Sequence, residues 1–233
     1  MGAFDFAMGT LSALSSALSI QGARKNTVNL NDLTINLDDQ SQRAFSEFST
    51  GMRMLHKHSI HHDFDMAAIA RQNLKLLHTN LSANKNYRNT IAKVRSGSVT
   101  SHNWAWLPLY NNEIVNAGFL YLPAGHAVAP HTQGANVTIH QNELRLPFRE
   151  NDSQLDHQLF LGLVGNTYIN LLSQSSFSHP VTTDVASLDL NSASLSLRRG
   201  GAYVEEPPHR IVHRVFSHRD PCLLLNVHFT VTR

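Results

Sequence analysis

The chain has 233 residues, 42% of them hydrophobic and 15% charged, with a formal net charge of +2. Such a length builds one large domain, or a core domain with a helical extension, and the mixture of apolar and uncharged polar residues excludes disorder driven by charge. The small net charge, with no block of Lys or Arg, gives no reason to expect nucleic acid as a partner, and the single cysteine, Cys222, excludes an intramolecular disulfide and a cysteine-rich zinc site.

Residues 1–20, MGAFDFAMGTLSALSSALSI, lack a basic start, carry Asp5 and are interrupted by Gly and Ser. They are expected to form an amphipathic helix on the body of the protein, not a signal or membrane anchor, so no membrane partner and a cytoplasmic location are expected. Over 39–55, Phe45, Phe48, Met52 and Leu55 recur at three- and four-residue steps, which predicts a helix. Asp63 or Asp65 is placed to cap the next helix, whose stripe is Met66, Ile69, Ala70, Leu74 and Leu77. Residues 84–94 read as a third short helix or a turn into a sheet. His56, His58, His61 and His62 lie between the first two helices. No acidic partner is clearly placed beside them, and a polar connection explains them better than a metal site.

From about residue 98 the segments become short, rich in β-formers and separated by turn residues. Trp104 and Trp106 alternate, as do Phe119 and Tyr121. Strands are predicted over 137–146, 158–164, 167–172, 188–197 and 223–231, with Gly165-Asn166 as a tight hairpin turn between two of them. The fold class expected is α+β. A helical region over 1–97 packs on the outside of an antiparallel β-barrel of jelly-roll type over 98–233, the two forming one integrated unit.

The chain holds 15 histidines, and imidazole is the commonest metal-ligating side chain. Position singles out two. His131 closes FLYLPAGHAVAPH (119–131): strand, Pro-Ala-Gly turn, short strand, histidine. His213 follows the Pro207-Pro208 turn at the start of an alternating strand. Two neutral imidazoles on adjacent strands can hold a divalent ion, and a third donor is then needed, from His157, Gln158, Gln133 or His209. An amide oxygen is a weaker donor than imidazole, so a glutamine site holds iron loosely. Open coordination positions are what oxygen-activating iron requires. Asn226 and His228 on the last strand are placed to orient ligands or substrate.

Gly125 and His131, with five residues between them, followed after an insertion near 135–155 by Gln158 and Gly165, resemble the first motif of the cupins. Gln133 stands where a second histidine is usual and Gln158 where glutamate is usual. Pro208-His209-Arg210-Ile211-Val212-His213 resembles the second motif, with Arg210 for Gly and Ser217 for Asn. His213-Arg214-Val215 with Ser217-His218-Arg219-Asp220-Pro221 is similar to the C-terminal motif of cysteine dioxygenases. Tyr87-Arg88-Asn89 is similar to the segment whose arginine holds their substrate carboxylate, with one residue fewer. Phe119-x-x-Leu122-Pro123-x-Gly125 with Pro130 and His131 resembles the related aminoethanethiol and plant cysteine oxidases. The resemblance runs from about Tyr87 to the C-terminus.

It implies a cupin barrel holding Fe(II), or another divalent metal, on His131, His213 and one of His157, Gln158 or Gln133. Arg88 and His209 would meet the substrate, and Asn226 and His228 would take the catalytic positions beside it. The activity implied is oxidation of a small cysteine-like thiol to a sulfinate with O2. The chain departs from the family at Gln133, at Asn226-x-His228 where the family has His-x-Tyr, and at Thr138 or Gln158 in place of a cross-linking cysteine. Two alternatives stand beside this one. One is another metal-dependent cupin enzyme, a lyase or isomerase on a small acid. The other is a degenerate cupin that binds a small molecule or protein without catalysis. By analogy of fold a homodimer is expected.

Overall fold

The computed structural model describes residues 28–59, 66–128, 131–132, 135–136, 138–140, 143–145, 154–172, 193–205 and 212–232. The expectations for residues 1–20, for the Asp63 or Asp65 cap, and for His61 and His62 lie outside these residues. Among the described residues a short strand, β1 (Val28–Asn29), and a 3-10 turn (Leu30–Asp32) precede three helices: α1 (Asp39–Ser59), α2 (Met66–Leu81) and α3 (Lys85–Arg95). On α1, Phe45, Phe48, Met52 and Leu55 are all buried, as their spacing predicts. The α2 stripe is Ala70, Leu74, Leu77 and Leu81, while Ile69 stays 38% exposed, one position off that face. Residues 85–95 are helical because Asn84 caps them: its side-chain oxygen accepts from the Tyr87 N–H at 3.0 Å.

The other strands follow. β1 pairs in parallel with β2 (Val99–Thr100), beside the helices. A first sheet has the order β12 (Ala202–Glu205), β9 (Gln154–Val164), β14 (Cys222–Thr232), β4 (Val115–Leu122), β3 (Ala105–Asn111). A second has the order β11 (Ala193–Leu197), β10 (Thr167–Leu172), β13 (Val212–Ser217), β5 (His131–Thr132), β6 (Ala135–Asn136). Neighbours within both sheets are antiparallel. β7 (Thr138–His140) and β8 (Glu143–Arg145) form a separate antiparallel pair within the region read as one strand over 137–146.

Strand alternation assigns the two faces of the first sheet. Ala117, Phe119 and Tyr121, Leu159, Leu161 and Leu163, and Leu223, Leu225, Val227 and Phe229 share one core with Phe45, Leu74 and Tyr87 of the helices. The intervening residues Leu120, Leu122, Phe160 and Leu224 pack instead with Ile169, Leu197 and Val215 of the second sheet. Among the described residues the helices, the first sheet and the second sheet therefore form three successive layers. A sheet covered on both sides takes near-continuous apolar strands, which is why FLYL and CLLL show no polar alternation. Aromatic pairs fasten the helices down. Phe45 stacks on Tyr110 with ring centroids 4.6 Å apart, and Tyr87 tilts onto Phe119 at 4.9 Å. Burying each such ring stabilises the fold by about 1.5–3 kcal/mol.

The α+β class holds, with antiparallel strands and helices on one outer face. Among the described residues the two sheets do not join into a closed barrel. The hairpin expected at Gly165-Asn166 is corrected. The turn is there, with Gly165 at φ 69°, but β9 pairs with β12 and β14 whereas β10 pairs with β11 and β13. It is the corner where the chain crosses between sheets. A Cβ on Gly165 would lie 2.4 Å from the Pro221 carbonyl oxygen, so glycine is required there for space as well as for φ. Trp104 and Trp106 part company: Trp104 precedes β3 and is 47% exposed, while Trp106 packs against the core between the sheets. No described helix is long and apolar enough to cross a membrane.

Candidate functional site

The Pro-Ala-Gly turn positions the first histidine strand. Gly125 takes φ 75°, and the turn is latched to the end of β13. The Ser217 hydroxyl donates to the Pro123 carbonyl, and its N–H donates to the His126 carbonyl at 2.9 Å. The Val128 N–H then donates to the Val215 carbonyl at 2.8 Å, carrying the chain along β13 towards β5. At the end of this path His131 lies directly opposite His213 in the antiparallel register.

His213 is wholly buried. It sits two residues from Val215, on the face turned to the first sheet. Its ring meets Phe160 edge-on, with centroids 5.9 Å apart and planes at 79°. Tyr203, opposite Phe160 in the β12–β9 register, stacks on the same ring at 6.3 Å. Two residues before Phe160, and so on its face, is Gln158, which is 1% exposed. Its side-chain N–H donates to the Asn226 side-chain oxygen at 3.4 Å. Its own buried Oε1 has no hydrogen-bond partner among the described residues. His228 lies opposite Gln158, half-buried, with Trp106 edge-on at 5.9 Å. By register and alternation His213, Gln158, Asn226 and His228 thus belong to the faces that the two sheets turn towards each other, with Phe160, Tyr203 and Trp106 on the same side.

Two expectations are corrected. His157 precedes Gln158 and faces the other way. It is buried with its ring 5.9 Å from Phe229, in the core beneath the helices. The sheet stands between it and His213, so the two rings cannot share an ion. Arg88 belongs to α3, in the helical layer. It is exposed, and its Nη1 donates to the Ser82 and Ala83 carbonyls at 2.8 and 3.2 Å. That places it across the first sheet from His213, away from any substrate held there. Gln133 and His209 lie outside the described residues, and Thr138 is described only as a register position in β7. Among the described residues no three His, Cys, Asp or Glu side chains converge as a metal group. On the Phe160 face of the first sheet, the candidate donor is the buried amide oxygen of Gln158. Phe160 and Tyr203 went unnoticed in the sequence. The signal for both was alternation, since Phe160 shares the parity of Gln158 and Tyr203 stands across from it.

Cys222 is buried at the start of β14, its thiol donating to the Asn166 carbonyl at 3.0 Å. Burial pushes its pKa up, so it is held as the inert thiol.

No family model and no curated protein matches the chain. Solved structures to which it is similar include the Cnp3 cupin domain of Schizosaccharomyces pombe, at 12% identity and TM-score 0.35, covering 56% of this chain and 70% of that one. An RmlC-like cupin of Desulfovibrio desulfuricans matches at 11% identity and TM-score 0.34, covering 55% of this chain and 82% of that one. KdgF of a Halomonas species matches at 12% identity and TM-score 0.34, covering 55% and 86%. Likeness of this size does not decide function, which rests instead on strand register and side-chain placement.

Proposed function

We propose that the space between the sheets at His131 and His213 is the metal site of a cupin-type enzyme, and that the protein is a mononuclear non-haem iron oxygenase resembling the thiol dioxygenases. The observation that carries this reading is the direct cross-strand pairing of His131 with His213. The donor set fits a divalent ion: two imidazoles by register, and a buried amide oxygen on Gln158 that satisfies no other group among the described residues. If held by these residues, Fe(II) would supply open coordination positions for a thiolate and O2. The overall change is RSH + O2 → RSO2H, with both oxygen atoms kept on sulfur.

The protein's own residues prepare that space. Asn226 accepts from the Gln158 amide nitrogen and so fixes the amide, leaving its oxygen as the donor. Phe160 holds the His213 ring edge-on and limits its rotation. Leu120, Leu122 and Leu224 exclude water from the adjoining core. His228, half-buried against Trp106, is placed to hold or take the proton of an arriving thiol.

The test is metal loading and turnover together. Protein equilibrated anaerobically with Fe(II) is expected to hold one ion per chain, lost in His213→Ala, and to consume O2 with cysteine or cysteamine while forming a sulfinate. Protein that stays metal-free in excess Fe(II) overturns the reading. The aromatic walls of Phe160, Tyr203 and Trp106 favour a second reading, binding of a small organic ligand without turnover. One ion per chain with no O2 consumption, across thiols and small acids, would select it.

A further inference from the structure

Residues 66–95 contain no Asp or Glu, but carry Arg71, Lys75, Lys85, Arg88, Lys93 and Arg95. In sequence these cations are scattered, and none forms a run. Folding gathers three charges. α2 and α3 pack on β9, and α2 packs on β12, so that the turn between β11 and β12, with Arg198 and Arg199, comes up against the helices. There they form an open pocket of about 350 Å³ whose lining includes Arg88, Arg95, Arg199, His78, Ser82 and Gly200, with no carboxylate among the described residues of its wall.

Arg95 and Arg199 make no ion pair among the described residues. Arg88 is half engaged, since its Nη1 is fixed by the Ser82 and Ala83 carbonyls while the other guanidinium nitrogens are not. His78 has its Nδ1 against the Tyr87 hydroxyl at 2.8 Å, so any further contact it makes is through Nε2. The charge of Arg199 reaches this ring, adding to burial in holding the imidazole neutral. Arg95 also complements the C-terminal end of the α3 dipole. Arg199, in a turn outside any helix, has no such local role. Like charges gathered in one concavity repel, and a bound anion reverses the sign of that interaction.

We propose that this pocket binds a multiply charged oxyanion, the phosphate or pyrophosphate group of a small molecule. Three guanidinium groups offer forked N–H donors suited to tetrahedral oxygens. One carboxylate would neutralise only one of them. The volume is in the range of small-ligand sites. This is a second site. It lies on the helical side of the first sheet, and Gly162 in its wall is four residues, about 13 Å along β9, from Gln158.

Isothermal titration of the metal-free full chain with pyrophosphate, at ionic strength held constant with chloride, tests it without reference to the metal reading. Binding at one site per chain is expected, with the His78 ring resonances shifting during the titration. Arg199→Gln and Arg95→Gln, both exposed positions, should each weaken binding at least about tenfold. Lys85→Gln, on α3 but outside the pocket, should leave it unchanged. No heat beyond that of chloride, equal weakening by Lys85→Gln, or binding confined to long polyanions such as heparin or RNA would each overturn the proposal.

Discussion

His157 and Gln158 are neighbours in the chain and occupy opposite faces of one sheet. His157 packs on Phe229 beneath the helices, while Gln158 reaches Asn226 between the sheets. One peptide unit separates a core histidine from a candidate ligand. The two therefore respond differently to mutation. His213→Ala or Gln158→Ala should lower Fe(II) or Co(II) affinity, His213→Ala by more than about 100-fold. His157→Ala should leave metal stoichiometry intact and lower stability by about 2 kcal/mol through the cavity it creates. Equilibrium dialysis with metal analysis, alongside urea unfolding, separates the two outcomes.

Gly165 and Gly97 both take positive φ, at 69° and 66°, but only Gly165 is crowded. Gly97→Ala meets nothing within 4 Å and should cost only the backbone strain, about 1–2 kcal/mol. Gly165→Ala adds a clash with the Pro221 carbonyl at the corner between sheets and should cost more than about 3 kcal/mol, or prevent folding. Chemical denaturation of the pair measures the difference.

His78 gives the fold a pH dependence of known sign. Burial, with the Arg199 charge second, holds its pKa below the ordinary value of 6.5 in the folded state. The unfolded chain therefore takes up a proton that the folded chain refuses. The stability involved is present above pH 6.5 and is lost as pH falls through the folded value. Comparing urea midpoints at about pH 7.5 and about pH 5.5, His78→Gln should flatten the decline seen in the parent protein. Arg199→Gln should flatten it partly.

Cys222 should react slowly. With its thiol buried and its pKa raised, labelling by a disulfide reagent near pH 8 should be at least ~100-fold slower in the native protein than in urea. Fast native labelling would show that the start of β14 opens readily.

Much of this architecture was legible before folding. The apolar steps of α1, the sequence Phe119 to His131 with its glycine turn, and the strand over 167–172 are local patterns, set by backbone sterics and periodicity. The turn at Gly165 was legible too, but not its consequence. A positive-φ glycine announces a change of direction and says nothing about which strand the chain joins next. The choice of Gln158 over His157 failed to emerge for a related reason: alternation tells neighbours apart but not which of them faces inward.

By itself, then, the sequence determined the α+β division, the helices ahead of the main strands, and the histidines worth watching, because those depend on interactions within a few residues. Only the tertiary structure decided the partner of each strand, the face of each side chain and the gathering of Arg88, Arg95 and Arg199 around one pocket. Those depend on contacts between segments tens of residues apart, where burial of two sheet faces and the packing of helices on one of them select among pairings that local preference leaves equal.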